Sequence, residues 1–213
     1  MTDDEITEGK LGDDYPGEVT LDDAGLALPI DGVGADEAEV ASPQKRPITP
    51  DDLTALAEVD AELNQRWPET KIDPTLERVE MLMDLLGHPE RAFPVIHVAG
   101  TNGKTSVVRM IEALMRAFHR RTGRTTSPHL QIVTERIAID GQPLHPRDYV
   151  DTWRDIQPMV EMVDAKSQAE GGPQMSKFEV LVAMAYAAFA DAPVDVAVAE
   201  TGVGGRWDAT NVG

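Results

Sequence analysis

Cysteine is absent from the 213 residues of this chain. That absence removes disulfides, thiolate nucleophiles and zinc–thiolate sites together, and it suits a reducing compartment, so a cytoplasmic location is expected. Long apolar runs are missing too. No window of about 18 apolar residues exists, and the acidic N-terminus lacks a basic segment leading into an apolar one, so neither a membrane span nor a signal peptide is expected. Basic residues are few: 19 Lys and Arg against 38 Asp and Glu give a formal net charge of −19. Such an excess repels phosphate backbones and argues against a nucleic-acid partner. No two of the five histidines stand at metal-ligand spacing, which argues against structural zinc.

The negative charge is unevenly spread, with more than half of the excess lying before Pro47. Residues 1–47 are rich in Asp, Glu, Gly and Ala, with only scattered large apolar side chains. Such a segment buries too little apolar surface to offset its ordering entropy, so it reads as a disordered acidic tail. The remaining residues, 48–213, are enough for one α/β domain with a sizeable core.

Within that domain the local signals alternate between helix and strand. Thr49 followed by Pro50 opens a helix carrying Leu53, Leu56, Ala57, Val59 and Leu63 near helical spacing. Asp73 and Pro74 open a second, which Gly87 and Pro89 close, and both helices are expected to pack on the sheet. "FPVIHVAG" reads as a buried central strand, "GRTTSPHL" as a second strand running into a loop, and "PVDVAVAE" as a third. A helix starts inside the glycine motif at Lys104, another spans about Arg147 to Lys166, and Ser176 with Glu179 forms a capping box for a further one. Between them an irregular or hairpin segment turns at Asp140-Gly141. Strands separated by helices predict a parallel sheet with helices on both faces. Three strands are few for such a sheet, so an N-terminal piece of something larger is expected.

The chemistry centres on "VAGTNGKTS", Val98 to Ser106, between an apolar strand and an amphipathic helix. A glycine-rich turn there exposes backbone N–H groups at the positive end of a helix dipole, where polyphosphate binds. Gly100 and Gly103 let the backbone approach, with Thr101 and Asn102 between them. Lys104 adds a full positive charge beside the phosphates, and the hydroxyl of Thr105 can ligate magnesium. The generic spacing requires a glycine where Val98 stands, so the motif is a shorter variant. Glu200 ends an apolar strand, where ligands gather in open α/β folds, and a carboxylate there can hold magnesium.

"GTNGKTS" resembles the P-loop of the Mur ligase superfamily, specifically of folylpolyglutamate synthase and dihydrofolate synthase. "KIDPTLERV", "TSPHL", "ERI", the Phe178-Glu179 pair and "ETGVGGRWDATN" resemble that family's signatures in the family's order. Two positions depart from it: Thr105-Ser106 replaces glycine-serine after the lysine, and Trp207 stands where leucine is usual.

The resemblance implies a P-loop NTPase-like fold, the Mur ligase central domain, with the family's C-terminal glutamate-binding domain absent from these residues. It implies ATP-dependent joining of L-glutamate to dihydropteroate or folate through an acyl phosphate, in a monomer, with ATP and Mg2+ as cofactors. Lys104 and Glu200 would be catalytic, Gly100 to Ser106 would bind the nucleotide, and Thr105, Ser127 and Glu200 would hold the metal. Asp73, His129, Phe178, Glu179, Arg206 and Asp208 would meet the pterin or folate. Asp73 and Glu179 are also good helix caps, and His129 also fits a surface role. A Mur-type ligase acting on a UDP-sugar peptide would share the glycine motif, as would a non-catalytic nucleotide-binding fragment.

Overall fold

The structure, a computed structural model, describes residues 20–22, 25–27, 46–67, 75–202 and 204–212. The chain divides into two units, Met1–Lys45 and Arg46–Gly213. In the first, strands β1 (Thr20–Asp22) and β2 (Gly25–Ala27) pair antiparallel.

The second unit is built on a five-stranded sheet. Its strands are β3 (Val95–Val98), β4 (Thr122–Thr125), β5 (Ile137–Ile139), β6 (Gln142–Pro143) and β7 (Val196–Glu200). Their order is β3-β7-β4-β5-β6, with β3, β7 and β4 parallel and the β5–β6 hairpin antiparallel. The three expected parallel strands are therefore present, and a hairpin extends the sheet beyond them. That hairpin turns where both Asp140 (φ 50°) and Gly141 (φ 75°) are left-handed, the backbone a tight two-residue turn demands. Among the described residues β3 pairs with β7 on one side, and His97 is exposed. A short apolar run records burial of the strand's faces and says nothing of how many neighbours it has.

Alternate residues of β7 point to opposite faces, and the two cores divide accordingly. Ala197 joins the larger core with α4 (Pro146–Ala169) and α5 (Lys177–Asp191). Val198 joins a smaller one with Val98 of β3 and Val108 of α3 (Lys104–Ala117). Helices thus cover both faces. The helices α1 (Pro50–Leu63) and α2 (Glu77–Leu85) pack chiefly on α4, with α2 also on α5. They form a further layer where direct packing on the sheet was expected.

Helix starts follow their local signals closely. Thr49 and Asp52 exchange hydrogen bonds in a capping box, with Thr49 Oγ1 accepting from the Asp52 amide and Asp52 Oδ2 from the Thr49 amide. Ser176 and Glu179 do the same at α5. The second helix begins later than expected, at Glu77, with the Thr75 hydroxyl accepting from the Glu77 amide. Asp73 lies outside the described residues.

Candidate functional site

Strand β3 ends at Val98, and the chain passes through Gly100 to Gly103 into α3. Gly103 adopts φ 76°, a conformation that strains any residue with a β-carbon. Residues 101–103 are exposed, and the stem of Lys104 folds back toward Gly100. The first intrahelical bond runs from the Val107 amide to the Gly103 carbonyl. The amides of Lys104, Thr105 and Ser106 therefore have no intrahelical acceptor and face outward at the positive end of α3.

Beside this turn three sequence positions far apart in the chain converge. Thr105 Oγ1 donates to both oxygens of Glu200, each at 2.9 Å. The amide of Ser127, in the loop after β4, donates to Glu200 Oε2 at 3.3 Å. The parallel β3–β7–β4 order produces this convergence, because parallel strands deliver their carboxyl ends to one edge of the sheet. Glu200 is only 4% exposed. Its donors are the Thr105 hydroxyl and the Ser127 amide, both uncharged, which leaves the carboxylate's charge available to a cation.

The fit to magnesium can be judged from these donors. Among the described residues no three His, Cys, Asp or Glu side chains gather at a metal-binding spacing. One carboxylate with hydroxyls suits Mg2+, which takes few protein ligands and completes its shell with water and phosphate oxygens. Lys104, Thr105, Ser127, Glu200 and the glycine turn thus form one cluster.

The remaining candidates surround it at varying distance. Phe178 lies against the loop after β7: a β-carbon on Gly202 would stand 2.6 Å from its ring. Glu179 turns inward, its Oε1 accepting from Arg78 Nε at 3.1 Å and its Oε2 from the Ser176 amide at 2.6 Å. Asp208 is buried and organises its own loop, accepting from the Gly204 amide and from the amide and hydroxyl of Thr210. Arg206 is exposed, with its guanidinium 6.0 Å from the centre of the Trp207 ring. His129 Nδ1 accepts from Arg136 Nε at 3.0 Å. Burial, with Arg136 adding to it, pushes the His129 pKa below its ordinary value, so the ring is held neutral.

Several neighbours were not among the candidate site residues. His97 Nε2 and Tyr186 Oη both donate to the Thr210 carbonyl, tying β3 and α5 to the loop beyond Asp208. Glu135, within "ERI", accepts from three consecutive amides of the loop after Ser127, Leu130 to Ile132. These bonds, that of Leu130 foremost, hold its pKa below the usual carboxylate value. Arg124 and Glu112, both buried, form an ion pair at 2.6 Å. An arginine inside an otherwise buried strand was the one available clue to that pair.

A parallel α/β core whose helix opens at a glycine turn, with an acid at the end of the adjacent strand, is a domain of the Mur ligase fold. No protein-family model matches the chain. Over 167 residues it is 66% identical to the dihydrofolate synthase/folylpolyglutamate synthase of Mycobacterium tuberculosis, a match covering 77% of this chain and 34% of that protein. It superposes on M. tuberculosis folylpolyglutamate synthase complexed with ADP with a TM-score of 0.72 at 63% identity, covering 76% of this chain and 35% of the other. Against E. coli FolC in complex with DHPP and ADP the TM-score is 0.63 at 34% identity, covering 77% and 37%. Over the matched residues the chain belongs to the folylpolyglutamate synthase/dihydrofolate synthase family. It spans about a third of the length of the curated relatives it matches.

Proposed function

We propose that this chain carries the nucleotide-binding part of a ligase that joins L-glutamate to dihydropteroate or a folate at the expense of ATP. The observation that carries the reading is the meeting of Thr105, Ser127 and Glu200 beside the free amides of α3. The relatives' names supply the reaction, and the complexes with ADP and DHPP supply the kinds of ligand.

In this reading the amides from Gly100 to Ser106 cradle the phosphates, and Lys104 neutralises charge on the γ-phosphoryl group as it leaves ADP for the substrate carboxylate. The acyl phosphate so formed is attacked at its carbonyl carbon by the glutamate amine, which loses a proton as inorganic phosphate departs. Magnesium, held through Thr105, Ser127 and Glu200, would supply charge neutralisation on the phosphate oxygens. Phe178, beside Gly202, offers a flat apolar surface to the pterin, with Arg206 and His129 as polar neighbours. Glu179 acts through Arg78 and Asp208 through its loop, so both position other groups. Asp73 is retained as a pterin-side residue on the strength of the resemblance.

Isothermal titration of the full 213-residue chain with MgATP tests the reading. Lys104→Ala removes charge-assisted bonds worth about 1.5–3 kcal/mol, so affinity falls roughly 10- to 100-fold. Equal affinity in wild type and variant would mean that Lys104 meets no phosphate. Binding of a UDP-sugar peptide in place of dihydropteroate would redirect the assignment to a cell-wall ligase.

A further inference from the structure

Beyond the Thr105–Glu200 cluster, one local concentration of positive charge stands out against the acidic composition. Arg109, Arg116 and Arg124 gather where α3 faces the β5–β6 hairpin. A cavity of about 320 Å³ opens there, with Arg109, Arg124, Leu130, Gln131 and Gly141 in its lining. Arg116 lies over Gly141, so closely that a β-carbon there would collide with its guanidinium.

The acids beside this cavity are already engaged. Glu112 accepts from Arg124 Nε through one oxygen and from the Gly141 amide, at 3.1 Å, through the other. Glu135, also in the lining, is held by its three loop amides. No acidic side chain among the described residues pairs with Arg109, which is exposed. The two guanidiniums of the lining thus stand beside two carboxylates, Glu112 and Glu135, and Arg109 is the one that no acidic side chain engages.

Position links the cavity to the cluster. Arg109 follows Thr105 by one helical turn on the same face of α3, and Arg124 precedes Thr126-Ser127 on β4. Leu130, 83% exposed, adds an aliphatic surface at its rim. A volume near the lower end of the range for small-ligand sites admits a short chain better than a large heterocycle. Guanidinium with aliphatic surface suits a carboxylate on a methylene stem.

Resting on the proposed ligase function, we propose that this cavity is a carboxylate subsite for the γ-glutamyl tail of the acyl substrate, read by Arg109. The α-carboxylates of the tail would then be held there while its terminal γ-carboxylate, the group that reacts, lies at the Thr105–Glu200 cluster.

Titration calorimetry on the full chain, with pteroyltriglutamate, pteroate, MgATP and inorganic phosphate as separate probes, tests this. In Arg109→Gln, affinity for pteroyltriglutamate falls about ten-fold while that for pteroate and MgATP is unchanged. Arg109→Lys, which keeps the charge, recovers most of the loss. Equal weakening of pteroate, no weakening at all, absence of pteroyltriglutamate binding by the wild-type chain, or an Arg109-dependent response to phosphate alone would each overturn the subsite. If MgATP binds and pteroyltriglutamate does not, the subsite falls and the nucleotide reading stands. If MgATP fails to bind, the nucleotide reading falls by itself.

Discussion

Gly202→Ala is a direct test of how the loop after β7 meets α5. The added β-carbon would lie 2.6 to 3.0 Å from three atoms of the Phe178 ring, closer than carbon atoms pack. Gly202 does not have a left-handed φ, so the cost is steric and not conformational. Overpacking of this kind costs about 1–3 kcal/mol. Phe178 is only half-buried and at the first turn of α5, so its ring can yield, which places the expected loss near 1–2 kcal/mol. For a chain of this size that lowers Tm by about 2–8 °C, read by circular dichroism at 222 nm on the full chain. The double-mutant cycle with Phe178→Ala isolates the contact: the alanine at 202 should cost about 1 kcal/mol less once the ring is gone. Gly103→Ala is the control, since φ 76° strains the backbone there while nothing lies within 4 Å, and its cost should be indifferent to Phe178. Additivity of Gly202→Ala and Phe178→Ala within about 0.5 kcal/mol would refute the juxtaposition.

Two further outcomes follow from the buried and titrating groups. Arg78→Leu leaves the Glu179 carboxylate buried against only its own helix cap, and it should destabilise the chain by about 3–5 kcal/mol in urea unfolding, with Glu179→Leu recovering much of that in the double variant. In an NMR titration His129 should show a midpoint below 6.5, because burial and then Arg136 disfavour its charged form. The unfolded chain then takes up the proton first, so this group's stabilising effect is present above pH 6.5 and is lost as pH falls through the folded midpoint. A midpoint above 6.5 would mean that the Arg136–His129 bond is not the ring's resting partner.

Features set by neighbours in sequence were legible before the fold was known. The Thr49 and Ser176 caps, the Asp140-Gly141 turn and the glycine turn each depend on a few adjacent residues, and each appears where those residues placed it. Features set by pairing across the chain were not. The β3–β7–β4 order and the layer of α1 and α2 over α4 follow from tertiary packing that periodicity cannot express. Glu179 shows both levels at once: its capping role was readable three residues away, whereas its partner Arg78 lies 101 positions distant. The meeting of Thr105 with Glu200 needed a second source, since only the parallel strand order delivers both to one edge.

The hydroxyl proton of Thr105 now reaches both carboxylate oxygens of Glu200. A hydroxyl has a single proton, and a divalent ion ligated by the same oxygen displaces it from that direction. On the proposed reading, a cation held by that oxygen would take the place of this hydrogen bond, so its binding would exchange one partner of Thr105 for another. Metal supplied with nucleotide, whose phosphate oxygens would offset the lost hydrogen bond, should on that reading bind more tightly than metal alone.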